Sequence, residues 1–353
     1  MTPALAVAAE VAGLGLQLEV SLPAGQVHAV LGANGAGKST LLGLAAGTVR
    51  PTAGTVAVAG TLVAGPGVWV APHRRGVGLL AQQPLLFPHL TAAANVAFGL
   101  QARGRTKGQA LRQATDLLGQ LGLAAVATRH PHELSGGQQA RIAVARALAP
   151  QPHLLLLDEP LAALDVTAAT EVRAQLRSSL REAGRSSVLV THDLLDVLAL
   201  ADTVTVLGGG QVVEHGPTAA VLAAPRTPFL AELIGVNLVL STRHGEEIHA
   251  TGLRLRGIPA ADSGTGQPAA AMFDPRAVAV YRDPPAGSPR NVVAVTVSGI
   301  EHRGALLAIS GQVPGGPRLR ADVTPAAVAA MGITAGDRVY FVVKAAEVAI
   351  YPA

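Results

Sequence analysis

Gly32-Ala33-Asn34-Gly35-Ala36-Gly37-Lys38-Ser39 stands between a mostly apolar run, Gln26 to Leu31, and a helix-forming stretch, Leu41 to Ala46. That is the strand–loop–helix setting which the pattern G-x-x-x-x-G-K-[ST] requires. Its glycines let the backbone curl until successive N–H groups face one point, at a helix N-terminus that itself attracts anions. Gly32, Asn34, Gly35, Gly37, Lys38, Ser39 and Thr40 are therefore the expected phosphate-binding residues. Lys38 is expected to reach the β- and γ-phosphates of a nucleoside triphosphate, and Ser39 to offer its hydroxyl to Mg2+.

Further along, Leu154-Leu155-Leu156-Leu157-Asp158-Glu159 reads as a buried parallel strand that ends in paired carboxylates. Asp158 at the strand tip suits the Mg2+ shell, and Glu159 suits a general base that polarises the attacking water. Ser135-Gly136-Gly137-Gln138 opens a segment of helical composition, Gln139 to Leu148. Ser135 and Gln138 have the spacing of a capping box, but adjacent glycines just inside a helix are costly. They make sense where another molecule approaches the backbone closely. A chain with one phosphate loop hardly needs a second anion site for the same nucleotide, so the simplest use is in trans, over the γ-phosphate held by another copy.

On these residues the chain resembles the ATP-binding subunits of ABC transporters, whose signature is L-S-G-G-Q, here Leu134 to Gln138. The resemblance covers roughly residues 4–232 and implies ATP and Mg2+ as cofactors, with two subunits closing head to tail on two ATPs. It assigns Gln82, in Leu80-Ala81-Gln82-Gln83-Pro84, to the glutamine loop that senses Mg2+ and the attacking water and touches the transporter. Leu86-Phe87-Pro88-His89-Leu90-Thr91 follows as in importer subunits. Ala162-Ala163-Leu164-Asp165 matches the loop that links the active sites across the dimer, and His192, after the apolar run ending Val190-Thr191, matches the γ-phosphate histidine. The implied set is Glu159, His192 and Gln82 as catalytic residues, Ser39, Gln82 and Asp158 around the metal, and Ser135, Gly136, Gly137, Gln138 and Asp165 on nucleotide across the dimer. Departures are Ala162, where that loop commonly has Ser, and the lack of any aromatic before Trp69 to stack on adenine, which points to loose base selectivity.

Composition limits the class further. Apolar residues make up 49% of the 353, enough for real cores, but aromatics only 3%, so Ala, Val and Leu must fill them. No apolar run reaches the ~18 residues of a membrane span, and the N-terminus lacks the basic region of a signal peptide. Any membrane role is expected through a partner, with the chain peripheral on the cytoplasmic face. The absence of cysteine excludes a disulfide framework and thiolate metal sites. Basic residues are scattered in spite of the net charge of +4, which argues against nucleic acid. Only Lys38, Lys107 and Lys344 are lysines among 27 basic residues, a hint of sites that want a compact point charge. The interval from Gln82 to Ser135 holds a compact helical subdomain, about 88–150, and no long coiled coil, which sets aside the chromosome and repair members of the family.

The implied fold is an α/β P-loop NTPase ABC cassette over 1–235 with that helical subdomain, followed by a small all-β, OB-like barrel region. Beyond Glu232 the chain turns to Val, Gly and Pro with period-two stretches such as Val293-Ala294-Val295-Thr296-Val297. It repeats itself: Met272-Phe273-Asp274-Pro275-Arg276-Ala277-Val278-Ala279-Val280-Tyr281 aligns with Val342-Val343-Lys344-Ala345-Ala346-Glu347-Val348-Ala349-Ile350-Tyr351. Asn237-Leu238-Val239 likewise echoes Asn291-Val292-Val293. The expected β units are 236–287 and 288–353.

The second β unit resembles the molybdate-binding (Mop/TOBE-type) barrel of molybdate importer ATPases, through Ser288-Pro289-Arg290-Asn291, Met331 to Asp337, and Lys344-Ala345. Pro289 departs from that family's opening and removes an N–H. Ser288, Arg290, Asn291 and Lys344 offer the mixed donors that a tetrahedral dianion needs, whereas Asp274 in the first unit repels one. The alternative is a pair of structural docking barrels, as in sugar and polyamine importers. The combined expectation is a homodimeric ATPase beneath transmembrane permease subunits, fed indirectly by an extracytoplasmic substrate-binding protein and importing molybdate or tungstate. Sulfate, ferric iron, polyamine or sugar are the alternative cargoes.

Overall fold

The computed structural model describes all residues except Met1, Ala163, 183–185 and 261–263, together with the side chain of Glu182. The chain divides into two compact units, Met1–Ala220 and Val221–Ala353.

In the first unit, β1 (Leu5–Val11) and β2 (Leu16–Leu22) alternate buried apolar and exposed residues and pair antiparallel, Leu5 opposite Leu22 and Val7 opposite Val20. β3 (Val27–Leu31) is buried throughout, as a central parallel strand with both faces covered must be. It leads into α1 (Lys38–Ala46), which is buried from Thr40 to Ala46. β4 (Ala53–Val58), β5 (Thr61–Gly65) and β6 (Val68–Trp69) extend the opening hairpin into an antiparallel sheet ordered β2-β1-β4-β5-β6. From Leu41 to Ala46, α1 is apolar all round because its residues share one core with both that sheet and the parallel one, through Leu41, Leu44, Val7, Leu154 and Val188.

β7 (Val77–Leu80) is followed by the helical segment α2 (Ala92–Ala102), α3 (Lys107–Gln120) and α4 (Gly136–Leu148). Its core is mostly Ala and Leu, as the scarcity of aromatics requires: Ala92, Ala97, Ala110, Ala114, Leu118 and Ile142. Thr91, Thr106 and Ser135 cap these helices, the last two in full capping boxes. β8 (Leu154–Asp158), α5 (Val166–Glu182), β9 (Ser186–Val190), α6 (Leu194–Leu200), β10 (Thr203–Gly208) and β11 (Gln211–Pro217) complete the unit. The second sheet runs β11-β10-β3-β9-β8-β7, parallel except for the antiparallel edge strand β11. Right-handed crossovers through helices are the usual way to build such a sheet, and they leave loops at the C-terminal strand ends for ligands.

The unit boundary falls inside α7 (Thr218–Ala223). In the second unit, α8 (Pro228–Ile234) is capped by Thr227 and ended by left-handed Gly235. Then come β12 (Asn237–His244), β13 (Glu247–Ala250), β14 (Leu253–Arg256), β15 (Ile258–Pro259), β16 (Pro268–Phe273) and β17 (Ala279–Tyr281). β18 (Asn291–Arg303), β19 (Leu306–Gln312), β20 (Arg318–Val323), α9 (Pro325–Met331), β21 (Arg338–Val343) and β22 (Ala349–Pro352) follow. The repeated segments are β16 and β21, each followed by a 3-10 turn, at Pro275–Ala277 and Ala345–Glu347, and then a short strand. After each turn the chain crosses over: β17 pairs with β21, and β22 pairs with β16. The sheets are thus β14-β13-β12-β16-β22-β15 and β17-β21-β18-β19-β20, and each half of the repeat lends its last strand to the other. One apolar core serves both, from Val239, Ile248 and Phe273 to Val295, Phe341 and Ile350.

The repeat extends to a pair of buried asparagines. Asn237 donates from its Nδ2 to the Arg320 carbonyl at 2.8 Å and accepts from the Arg320 N–H at 2.7 Å. Asn291 holds the backbone of Arg256 in the same way, at 2.9 and 2.7 Å. A buried carboxamide that satisfies both backbone groups of one residue is costly to remove, because it leaves a donor and an acceptor without partners. Asn291→Ala and Asn237→Ala are each expected to lower stability by about 2–3 kcal/mol, read as matching losses in chemical denaturation of this unit's transition.

Candidate functional site

Four segments meet at the C-terminal edge of the parallel sheet. β3 ends at Leu31 and enters the phosphate loop, while β7, β8 and β9 end just before Gln82, Glu159 and His192. Gly32 lies at φ 147°, and a Cβ there would stand 2.4 Å from the Leu207 carbonyl oxygen, so only glycine fits this exit from the strand. Gly35 and Gly37 adopt left-handed φ of 81° and 104°, which turns the loop back onto the start of α1. No side chain caps that helix, so the N-terminal amides of α1 open onto the loop. Asn34, Gly35 and Ser39 are exposed there, whereas Thr40 is buried behind them.

The Lys38 ammonium arches over the loop and donates to the carbonyls of Gly32 at 2.6 Å and Ala33 at 2.9 Å. Partial burial pulls its pKa below the ordinary lysine value, opposed by the negative charges of Glu159 and Asp158. Asp158 is shifted the other way: burial and the neighbouring Glu159 raise it, while Lys38 holds it down. The three groups therefore form one electrostatic cluster.

Glu159 sits at φ 44°, a left-handed conformation that a residue with a side chain adopts only where its surroundings enforce it. Its N–H donates to the Val190 carbonyl at 2.8 Å, which fixes the turn against β9. In this pose its carboxylate accepts from Gln82 Nε2 at 3.2 Å and lies 3.2 Å from His192 Nδ1. The carboxylate is a quarter exposed, within reach of water but gripped on both sides. The sequence-predicted trio of Gln82, Glu159 and His192 thus comes together, beside Asp158 and Lys38.

The residues expected to act across a dimer behave differently. Ser135 and Gln138 make a capping box on α4: Ser135 Oγ accepts from the Gln138 N–H at 3.3 Å, and Gln138 Oε1 accepts from the Ser135 N–H at 3.0 Å. A Cβ at Gly137 would meet Ala168 Cβ at 3.1 Å, so that glycine answers in part to packing on α5, whereas Gly136 faces open space. Asp165 accepts from the Ala168 N–H at 2.9 Å and caps α5. Among the described residues no hydrogen bond joins Ser135–Gln138 or Asp165 to the Glu159 cluster. Ala163, within the Ala162–Asp165 match, lies outside the described residues.

Sequence reading missed the braces. Arg75, 4% exposed, donates from Nη1 to the Leu44 carbonyl at 2.6 Å near the end of α1 and lies 4.5 Å over the Trp69 ring. Trp69, with Arg50 on it as well, is engaged as a structural residue. Arg173 of α5 pairs with Asp193, next to His192, and with buried Asp196 in the first turn of α6, at 3.3 and 2.6 Å. Thr191 Oγ1 donates to Asp196 at 3.1 Å and accepts from the Asp193 N–H at 3.0 Å, which closes the network. The adjoining Thr191-His192-Asp193 was the only sequence signal for it.

The oxyanion set in the second unit is narrower than its sequence implies. Asn291 is 1% exposed, and its carboxamide is committed to the backbone of Arg256, so it serves the fold and drops out as a ligand donor. Ser288, Arg290 and Lys344 are exposed. Arg290 and Lys344 adjoin Asn291 and Val343, which are partners in register, so both cations flank one end of the β18–β21 ladder. Asp274, the counterpart of Lys344, caps its own 3-10 turn by accepting from the Arg276 N–H, whereas Lys344 makes no such cap.

With this geometry in view, comparison with known proteins places the chain. Residues 16–162 match the model of the ABC transporter family, and residues 287–350 match the TOBE domain. The chain is 48% identical to the molybdenum import ATP-binding protein ModC of Mycobacterium tuberculosis, over 98% of this chain and 96% of that one. It is 40% identical to an Fe(3+) ions import ATP-binding protein, FbpC 2, of Rhodococcus jostii, covering 89% and 88% of the two chains. It is 35% identical to a sulfate/thiosulfate import ATP-binding protein, CysA 2, of Chromobacterium violaceum, covering 95% and 90%. With a phosphate loop at one strand end, a gripped glutamate at another and relatives aligned along nearly its whole length, the chain belongs to the ATP-binding subunits of ABC importers that carry a C-terminal TOBE domain.

Proposed function

We propose that this chain hydrolyses ATP to drive import of molybdate or tungstate through separate permease subunits, as a homodimer at the cytoplasmic face of the membrane. The observation that carries the hydrolytic reading is the Glu159 carboxylate, held between Gln82 and His192 beside Lys38 and Asp158. Lys38 and the α1 amides bind the phosphates, Gln82 and His192 orient the carboxylate, and Glu159 takes the proton of the attacking water. Ser39, Asp158 and Gln82 supply hard oxygen donors of the kind that Mg2+ prefers, and among the described residues no cluster of His, Cys, Asp and Glu forms a closed metal cage. Ser39, Asp158 and Gln82 are the residues that would hold Mg2+, and the ion would supply positive charge against the phosphates.

The dimer reading is supported by the open space over Gly136 and by the exposed cap of Ser135, which are free to approach a nucleotide on a second copy. The cargo reading is supported by the molybdenum import relative at 48% identity; the Fe(3+) and sulfate import relatives favour a second cargo less strongly. Ser288, Arg290 and Lys344 are the groups proposed to hold the oxyanion in the second unit.

Uptake of labelled molybdate into cells that lack their own importer, complemented with this chain and its permease, tests the cargo. Uptake competed by tungstate and not by sulfate is expected; uptake competed by sulfate alone would overturn it. Calorimetric titration of the full-length chain with molybdate, tungstate and sulfate tests the tail. Binding of the first two, lost in Lys344→Ala, is expected, and no binding would reduce the region to a structural one.

A further inference from the structure

α4 begins at the exposed cap of Ser135 and ends near the loop that carries Gln82. Over its 13 residues it spans about 20 Å at 1.5 Å per residue. In its last turn Arg146 reaches out of the helix to that loop. Its Nη1 donates to the Leu85 carbonyl at 2.7 Å and its Nη2 to the Pro84 carbonyl at 2.8 Å, so both arms of one planar fork take consecutive carbonyls. The guanidinium also lies 5.5 Å over the Phe87 ring, which packs at 4.7 Å on Phe98 of α2. Leu85, between these contacts, holds φ 43° with its side chain 64% exposed. An unfavourable backbone pose with no burial to repay it needs an external hold, and the fork supplies it.

Beyond Leu85 the loop is secured from a different element. Asn95 of α2, fully buried, accepts from the Phe87 N–H at 2.8 Å and donates to the carbonyls of Phe87, Leu90 and Thr91. Residues 87–91 are therefore anchored to α2, while Pro84 and Leu85 answer to α4. The stretch tied to α4 adjoins Gln82, whose Nε2 grips Glu159. We propose that Arg146 is a positioning residue: it ties the orientation of α4, and so the state of the Ser135–Gln138 cap, to the hold of Gln82 on Glu159. Movement of α4 when its N-terminus engages nucleotide then reaches the carboxylate through two carbonyls rather than through the sheet. Lysine cannot replace the fork, because a single ammonium does not present two coplanar donors to adjacent carbonyls.

The proposal rests on the hydrolytic reading above and on nothing about cargo. It is tested by steady-state ATP hydrolysis with the full chain, its Arg146→Lys and Gln82→Ala variants, and the double variant. Arg146→Lys is expected to lower kcat roughly tenfold with the KM for ATP within about twofold; in the Gln82→Ala background the same change is expected to alter kcat less than about twofold. Independent, multiplying losses would show that Arg146 does not act through Gln82 and overturn the proposal, as would full turnover in Arg146→Lys. Arg146→Gln repeats the cycle if the lysine variant does not fold; failure of both to fold would make Arg146 a fold determinant and likewise overturn it. Absence of ATP turnover in the unaltered chain would overturn the hydrolytic reading and the proposal together, an outcome distinct from the multiplying losses.

Discussion

Glu159→Gln is expected to cut ATP turnover at least a hundredfold and to leave an ATP-bound pair of chains that outlasts gel filtration. The substitution keeps the side chain's size and the left-handed backbone at φ 44°, and its amide oxygen still accepts from Gln82. What it loses is the ability to take a proton. His192 then faces an amide in place of the carboxylate 3.2 Å from its Nδ1. Binding is expected to survive because the phosphate loop, Lys38 and the Ser135 cap are untouched, so the proposed pair is expected to close on nucleotide and stay closed. The checks are release of inorganic phosphate and the apparent mass with and without saturating ATP. A protein that stays monomeric with ATP bound would overturn the shared-site reading, and one that turns over normally would remove Glu159 as the base.

Lys38→Ala is expected to weaken nucleotide binding by roughly a hundredfold, since truncating one partner of a charge pair with the bound phosphates costs about 2–5 kcal/mol. Lys38 opposes both Asp158 and Glu159, whose charges raise its pKa against the pull of burial. Without it those carboxylates face the incoming triphosphate unbalanced, and Asp158 loses the one influence that keeps its pKa down. Lys38→Arg is expected to rescue little, because the bulk and planarity of a guanidinium do not suit a loop that folds around a compact ammonium. Calorimetric titration with a non-hydrolysable ATP analogue measures both, and binding within tenfold of the unaltered chain in Lys38→Ala would contradict the role.

The fold class was legible because its evidence is local. A glycine loop between strand and helix, a run of leucines before Asp158, and alternation from Val293 to Val297 each declare themselves within a few residues. Ser135 and Gln138 were legible as a cap for the same reason, and the structure starts α4 there. Long-range use of a side chain was not legible. Arg75 and Arg173 look like ordinary surface arginines in sequence, yet one holds the end of α1 and the other the His192 loop. Asn291 sits in a segment that suggests a ligand donor, but its partner is a backbone 35 positions earlier, on a strand of the other sheet, brought to it only by the packing of the two sheets. The twin role of Asn237 had a visible sign, the repeat itself, whose meaning needed the meeting of β12 with β20 from the other sheet.

The crossing of β17 and β22 has a consequence for how this region comes into being. β22 ends at Pro352 and is the neighbour of β16 in a sheet that otherwise begins at Asn237. During synthesis the earlier strands must wait, with an edge of β16 unpaired, until Ala349–Pro352 have emerged from the ribosome. Pairings of such long sequence separation form slowly, and waiting edges invite wrong partners. Neither half of the repeat is then a folding unit by itself: a cut between Gly287 and Ser288 would strip a strand from both sheets at once. The cassette, whose sheets close within the first unit, is free to fold before that wait is over.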